Sequence, residues 1–329
     1  MGLLAGDLGA TKIRLGIFEP GETLPEPIAE GQFSSDPSSS LEAVVKQFLE
    51  SGDFKVTAAC FGVAGPVVGG RAKITNLPWV IGENELSRDL GIPRVKLIND
   101  LEATAWSIPS LGTGDAVVLH EGKPAEGGNI AVIAPGTGLG EAYLTWDGRR
   151  YHAYASEGGH ADFAPQSPLE MELLQDFQKQ FGHVSYERVC AGQAVPFVYR
   201  FLKDRGCAEE PAWLSRRLRE AGDATPVIIN AAIDKERMCE LARKTLELFI
   251  AVLGAEASNL AVKILATGGV YLAGGVALHV LPALNEGGFM EAFLRKGRMS
   301  GLVDRMPVYV ITNPGVALIG AACCGLPFI

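Results

Sequence analysis

An α/β protein of two domains is what this sequence predicts, and three observations carry the prediction. Short β-rich runs alternate with segments of helical spacing throughout the chain. Its 329 residues exceed what one compact core usually organises. Two strand–turn–strand units with Gly-rich turns share a layout and read as an internal repeat, one copy per domain.

LLAG and KIRLGIF, at 3–6 and 12–18, form the first hairpin around a glycine-bearing turn. Beyond the Ser-rich run after Ser34, LEAVVKQFLE has helical spacing. KVTAACFGVAGP reads as a buried strand ending at a Gly-Pro turn, and ENELSRDLG as a helix closed by glycine. VKLIND returns to a strand, with the helix LEATAWSI directly after it. NIAVIAP and EAYLTW flank GTGLG in the second hairpin. From about Pro168 helices dominate: PLEMELLQDFQKQFG, AVPFVYRFLKD and a long apolar segment at 236–262, suited equally to a core or an interface. ILATGGVYLAGGVALHVLPAL passes from a strand through a Gly-rich turn to a helix, PVYVI is a late strand, and PGVALIGAACCG is an apolar closing helix.

Composition narrows the function classes. A formal charge of −9 opposes binding to a phosphate backbone, which needs a basic face. No run of about 18 charge-free apolar residues appears, so no membrane span is expected. MGLLAGDLGATK has neither a basic leader nor a cleavable apolar stretch, and Gly6 stands where a myristoylation signal needs Ser or Thr. Six cysteines, at 60, 190, 207, 239, 323 and 324, show no C-x-x-C pairing and suit reduced, buried thiols. The expectation is a cytoplasmic enzyme.

Five clusters are candidates for chemistry. Asp7-Leu8-Gly9-Ala10-Thr11-Lys12 places short side chains in a hairpin turn where backbone N–H groups can face a phosphate, although Asp and Gly are common in any β-turn. The P-loop spacing is missing. Gly136-Thr137-Gly138-Leu139-Gly140 precedes an alternating, strand-like run instead of a helix, which points to a hairpin turn and away from a dinucleotide fingerprint. Asn99-Asp100 ends an apolar strand, where α/β proteins bind ligands; equally, Asn99 and Glu102 form a capping box, and both readings hold together if the cap aims Asp100. Glu157-Gly158-Gly159-His160 projects polar groups from a tight loop, either toward a ligand's hydroxyls or toward the loop itself. In Gly268–Val276, glycines bracket a strand and open a helix, for close approach of a flat ring or for helix packing.

Taken together these stretches resemble the bacterial glucokinases, within the superfamily of hexokinase, actin and Hsp70-type ATPases. The resemblance runs, in order, through GDLGATK, FGVAGPV with TNLPW, LINDLEATA, APGTGLGEAYL, EGGHADFAP, GHVSYERVCAG and GGVYLAGGVA. It implies two α/β domains of ribonuclease H-like (actin-like ATPase) type around a cleft: a small one of residues 1–109 plus 312–329, and a large one of 110–311 with helical insertions. It also implies that Asn76, Asn99, Asp100, Glu157, His160 and Glu187 hold the sugar. Asp7, Gly9, Ala10, Thr11 and Lys12 with Gly136, Thr137 and Gly138 would bracket the phosphates of ATP, and Gly274 and Gly275 would lie by the adenosine. Asp7 would be an outer-shell ligand of Mg²⁺, and the chain would form a homodimer. Ala10 and Lys12 depart from the family pattern, which has glycine and asparagine there. The related repressor/kinase group carries a cysteine-rich zinc motif after the His loop, whereas ADFAPQSPLEMELL here has no cysteine.

The expected reaction is phosphoryl transfer from ATP to the 6-hydroxyl of glucose, with Asp100 as general base. Two other classes remain open at this stage. A sugar-sensing regulator on a kinase fold usually adds a basic helix-turn-helix segment. An actin- or Hsp70-like ATPase would share the phosphate turns but not the Asn-Asp and E-x-x-H pairs.

Overall fold

The computed structural model describes residues 2–9, 11–21, 26–36, 38–75 and 77–329. Ala10 and Asn76, both expected at the site, lie outside the described residues. By their contacts the residues divide into two compact units: 1–115, 142–155 and 313–329 in the first, and 116–141 with 156–312 in the second. Residues 142–155, the outer parts of two strands, group with the first unit.

In the first unit the strands are β1 (Gly2–Leu8), β2 (Lys12–Phe18), β3 (Ala29–Ser34), β4 (Val56–Val63), β5 (Val67–Val68), β6 (Arg71–Lys73), β7 (Val80–Gly82) and β8 (Arg94–Asn99). The main sheet has the order β3-β2-β1-β4-β8, with β5-β6-β7 forming a small separate sheet. β1 pairs antiparallel with β2 and parallel with β4, and β4 pairs parallel with β8. Nearly every residue of β1 and β4 is buried, which explains their almost unbroken apolar sequence. A strand parallel to its neighbours has its carboxyl end at the same edge, so Leu8, Val63 and Asn99 finish side by side: Leu8 lies opposite Val63, and Val63 opposite Asn99.

The second sheet is built of β9 (Ala116–His120), β10 (Ile130–Pro135), β11 (Leu139–Trp146), β12 (Tyr151–Ser156), β13 (Gly269–Leu272) and β14 (Val308–Ile311), in the order β12-β11-β10-β13-β14-β9. Apart from the antiparallel edge strand β9, this repeats the order of the first sheet, with β10–β12 in the places of β1–β3 and β13 and β14 in those of β4 and β8. The expected repeat is therefore present in strand order. Helices cover the core of the second unit, the longest being Glu240–Ile264. By length and composition alone this helix is apolar enough to cross a membrane, but 72% of the qualifying stretch is buried in the protein, and it serves as a core helix.

The helix Asp100–Ser107 rests on the helix Val316–Gly325, which returns to the first unit from the far end of the sequence. Their approach is closest at Gly320, where any Cβ would overlap the carbonyl oxygen of Ala103. Both faces are made of small residues: Ala103, Ala105 and Ser107 on one side, Gly320, Ala321 and Ala322 on the other, all buried.

Gly320→Ala should therefore destabilise the protein by about 1–3 kcal/mol, the usual cost of overpacking a close contact. Urea unfolding measures the loss; a variant as stable as the wild type would show that the two helices separate without cost.

Candidate functional site

At the carboxyl edge of the first sheet, side-chain hydrogen bonds tie the loops together. Asn99 is the N-cap of Asp100–Ser107: its Oδ1 accepts from Leu101 N at 2.8 Å and Glu102 N at 3.3 Å. The Glu102 carboxylate reciprocates by accepting from the Asn99 N–H, completing the capping box, and burial pushes the Glu102 carboxyl up from its ordinary range. The Asn99 amide also donates to Gly65 O at 3.1 Å, so the turn after β4 hangs on the same side chain. Ala64 N donates to Leu8 O at 3.3 Å and Thr75 N to Ala64 O at 2.8 Å, bringing the end of β1 and the loop after β6 to the same place. Asp100 is half-buried at the first position of its helix, and its Oδ1 accepts from Leu101 N at 2.9 Å. Its carboxylate thus sits in the first turn of the helix.

The turn between β1 and β2 is closed by Gly9 N donating to Lys12 O at 3.0 Å and pinned from outside by Ser35, whose Oγ donates to Gly9 O at 2.8 Å. Thr11 and Lys12 are exposed there. Asp7 is half-buried on β1; desolvation pushes its carboxyl up from the ordinary range, opposed by the Arg14 guanidinium. A nearby divalent cation would add to that opposing effect, so the position fits a carboxylate in a cation's outer shell. Among the described residues no three His, Cys, Asp or Glu side chains gather to hold a metal by themselves.

In the second unit the turn Gly136-Thr137-Gly138 joins β10 to β11 as a hairpin, with Gly136 N donating to Gly138 O at 2.8 Å. Glu187 locks it: its Oε2 accepts from Leu139 N at 3.0 Å, and its Oε1 accepts from the Gln193 amide at 3.3 Å. Gly192 N and Gln193 N donate to Gly136 O and Thr137 O at 2.8 and 3.2 Å. A Cβ on Gly138 would overlap the Glu187 carboxylate, so glycine is required there for close approach. Glu157 and His160 flank a single 3₁₀ turn, Gly158–His160; their side chains are exposed, 3.9 Å apart at Oε2 and Nε2. The tight loop expected around the two central glycines takes the form of one 3₁₀ turn.

Gly274 and Gly275 follow β13 and open a short helix, Gly275–His279. Beside them and the 136–138 turn lies a pocket of about 270 Å³, lined also by Gly192, Gln193, Thr225, Ile229 and His279. A Cβ on Gly275 would meet nothing within 4 Å, and one on Gly136 only the Gly138 carbonyl at 4.0 Å, so the backbone is bare toward this space. Such a cradle fits a nucleotide: amide groups for phosphates and an apolar wall for a base. Gly192, Gln193, Thr225, Ile229 and His279 were not anticipated as site residues. Asp223 and Thr225, whose hydrogen bond at 2.9 Å starts the helix Ala224–Ile233, do carry a local capping signal.

The glucokinase family model matches residues 4–326. The chain belongs to the glucokinase family. The glucokinase of Trichormus variabilis is 42% identical over 98% of both chains, and that of Nostoc punctiforme 40% identical, also over 98% of both. Among solved structures, a glucokinase from an Antarctic psychrotroph superposes with a TM-score of 0.83 at 30% identity, covering 98% of each chain. The family match spans both units, so the two sets of residues above belong to one inherited framework.

Gly138→Ala should cost about 1–3 kcal/mol through its clash with Glu187. In a double-mutant cycle with Glu187→Ala the two changes should couple strongly, because the smaller side chain removes the overlap. Additive losses in urea unfolding would mean that the turn moves away freely.

Proposed function

We propose that this chain is a glucokinase that transfers the γ-phosphoryl group of ATP to the 6-hydroxyl of glucose, giving glucose 6-phosphate, with Asp100 as general base. It acts in the cytoplasm as a homodimer on two ribonuclease H-like domains; the strand order common to both sheets supports that description. The observation that carries the reading is the coincidence of a family match over 4–326 with a carboxylate held rigidly by its own helix cap at the end of β8.

Phosphoryl transfer depends on positioning and charge neutralisation more than on covalent chemistry. Asp100 accepts the proton of the attacking 6-hydroxyl, a contribution worth roughly 10²–10⁴ in rate. Asn99, with its carbonyl committed to the cap and one amide hydrogen to Gly65, has a second amide hydrogen to offer the sugar. Asn76, Glu157, His160 and Glu187 read the other hydroxyls, and a site built this way rejects sugars that leave its polar groups unpaired. Gly9, Ala10, Thr11 and Lys12 with Gly136, Thr137 and Gly138 hold the phosphates, while Gly274 and Gly275 let the adenosine approach the backbone. Mg²⁺, when bound, offsets phosphate charge, with Asp7 in its outer shell.

Asp100→Ala should lower glucose-dependent ADP release by about 10²–10⁴ while glucose affinity stays within several-fold of the wild type. A coupled assay with MgATP, alongside calorimetric titration of glucose, reads both. Near-native turnover in the variant would remove Asp100 from the role, and ADP release indifferent to every hexose would favour an ATPase.

A further inference from the structure

Glu141 and Glu256 are buried to 2% and 0% exposure in the second unit, one on β11 and the other on the helix Glu240–Ile264. Their carboxyl groups are close enough for each to act on the other's proton. Yet Glu141 Oε1 and Glu256 Oε1 each lack a donor among the described residues. Two carboxylates are acceptors only, so a contact between them holds when one carries a proton. The Lys263 ammonium stands 3.9 Å from Glu256 Oε1, beyond hydrogen-bond reach, and its side chain is mostly exposed. One cation at that distance compensates one buried charge at most.

The pair also stands beneath the loop assigned to the sugar. A Cβ on Gly158 would overlap Glu141 Oε2, so the backbone of Glu157–His160 rests directly on this carboxyl group. On the other side, Asn259 Nδ2 donates to Glu256 Oε2 at 2.9 Å and to Tyr186 Oη at 2.8 Å, and Tyr186 immediately precedes Glu187. Lys296 Nζ donates to Asn259 Oδ1 at 2.6 Å and orients that amide. One buried network therefore reaches both segments of the second unit that carry the proposed sugar-reading side chains.

We propose that Glu141 and Glu256 share one proton, and that this proton seats the Glu157–His160 loop for sugar binding, which makes Glu141 a positioning residue for glucose. The inference rests on the kinase reading above. Burial, then the Glu256 charge, push the Glu141 carboxyl up to about 8, while Lys263 opposes them. Burial pushes Glu256 up as well. The remaining titratable groups around the pair are Tyr186 and Cys190, both pushed up by burial first and Glu256 second, with Glu187 close to Cys190; Lys296 is pushed down by burial. Below about pH 8 the pair holds its proton; above it both carboxylates are charged, and their repulsion drives Glu141 against Gly158. The sign for stability follows. An acid raised from 4.5 to about 8 on folding contributes fully below pH 4.5, loses that contribution as pH rises to about 8, and is level above.

The test uses the full chain as wild type, Glu141→Gln, Glu141→Leu and Glu256→Gln, in glucose kinetics from about pH 6 to about pH 9.5. In the wild type the KM for glucose should rise several-fold above about pH 8, with kcat changing less. Glu141→Gln and Glu256→Gln, each with a fixed N–H donor in place of the shared proton, should abolish the rise. Glu141→Leu, neutral but without a donor, should raise KM at every pH. An alkaline rise that persists unchanged in both Gln variants overturns the proposal, as does a Leu variant indistinguishable from Gln. The second measurement is urea unfolding of wild type and Glu141→Gln. Relative to the variant, the wild-type folding constant should fall by up to about tenfold per pH unit between pH 4.5 and about 8. Parallel curves overturn the shared proton even if the kinetics fail. A wild type without glucose-dependent ADP release at any pH strikes the kinase reading instead, and unfolding still decides the proton.

Discussion

The side-chain amide of Asn99 is the interaction on which the carboxyl edge of the first sheet depends. It caps one helix, holds the turn after the neighbouring strand and fixes the residue that follows it, all through one planar group. Because the amide is rigid and its two cap bonds are local, covalent geometry and the cap hold Asp100 at the start of its helix. Parallel strands then deliver β1 and β4 to the same edge, so the turn after β1 and the Gly65 turn arrive beside that carboxylate without long connections. In the second unit Glu187 has the equivalent duty, joining a hairpin turn to the segment behind it by two carboxylate oxygens.

Both sheets use the same solution: a meander of three strands followed by two parallel ones. The first strand of each meander is the most enclosed, and the hairpin turn that follows it emerges at the carboxyl end of the parallel set. That is why the two Gly-rich turns, with little in common letter by letter, take equivalent places. The two turns differ in what packs behind them, Ser35 in one case and Glu187 with Gln193 in the other.

Local signals were legible in the sequence. The Asn99–Glu102 box, the Gly91 helix stop and the apolar strands β1, β4 and β10 depend on neighbours a few residues away, so their letters are enough. β3 is weakly marked in the sequence: AEGQFS alternates small or apolar residues with polar ones, but only Phe33 favours a strand by residue type, and pairing with β2 holds the segment. Gly192, Gln193 and Thr225 have no local signal of a site because they join the pocket beside Gly136 and Gly275 only through the tertiary path of the chain. Glu141 and Glu256 read as surface charges by residue type; only the fold shows that both face inward. Assignments that came through the family resemblance, Glu157 and His160 above all, rest on side chains whose ligand partners no periodicity can reveal.

The contact of Gly320 with Ala103 has a consequence for biosynthesis. The helix that carries Asp100 leaves the ribosome early, but the surface it packs on belongs to a helix translated long after it. Until that segment emerges, the first unit lacks one wall of its core. Completion of this half of the protein thus waits until the second unit has been made, which favours chaperone protection of its exposed apolar strands in the meantime.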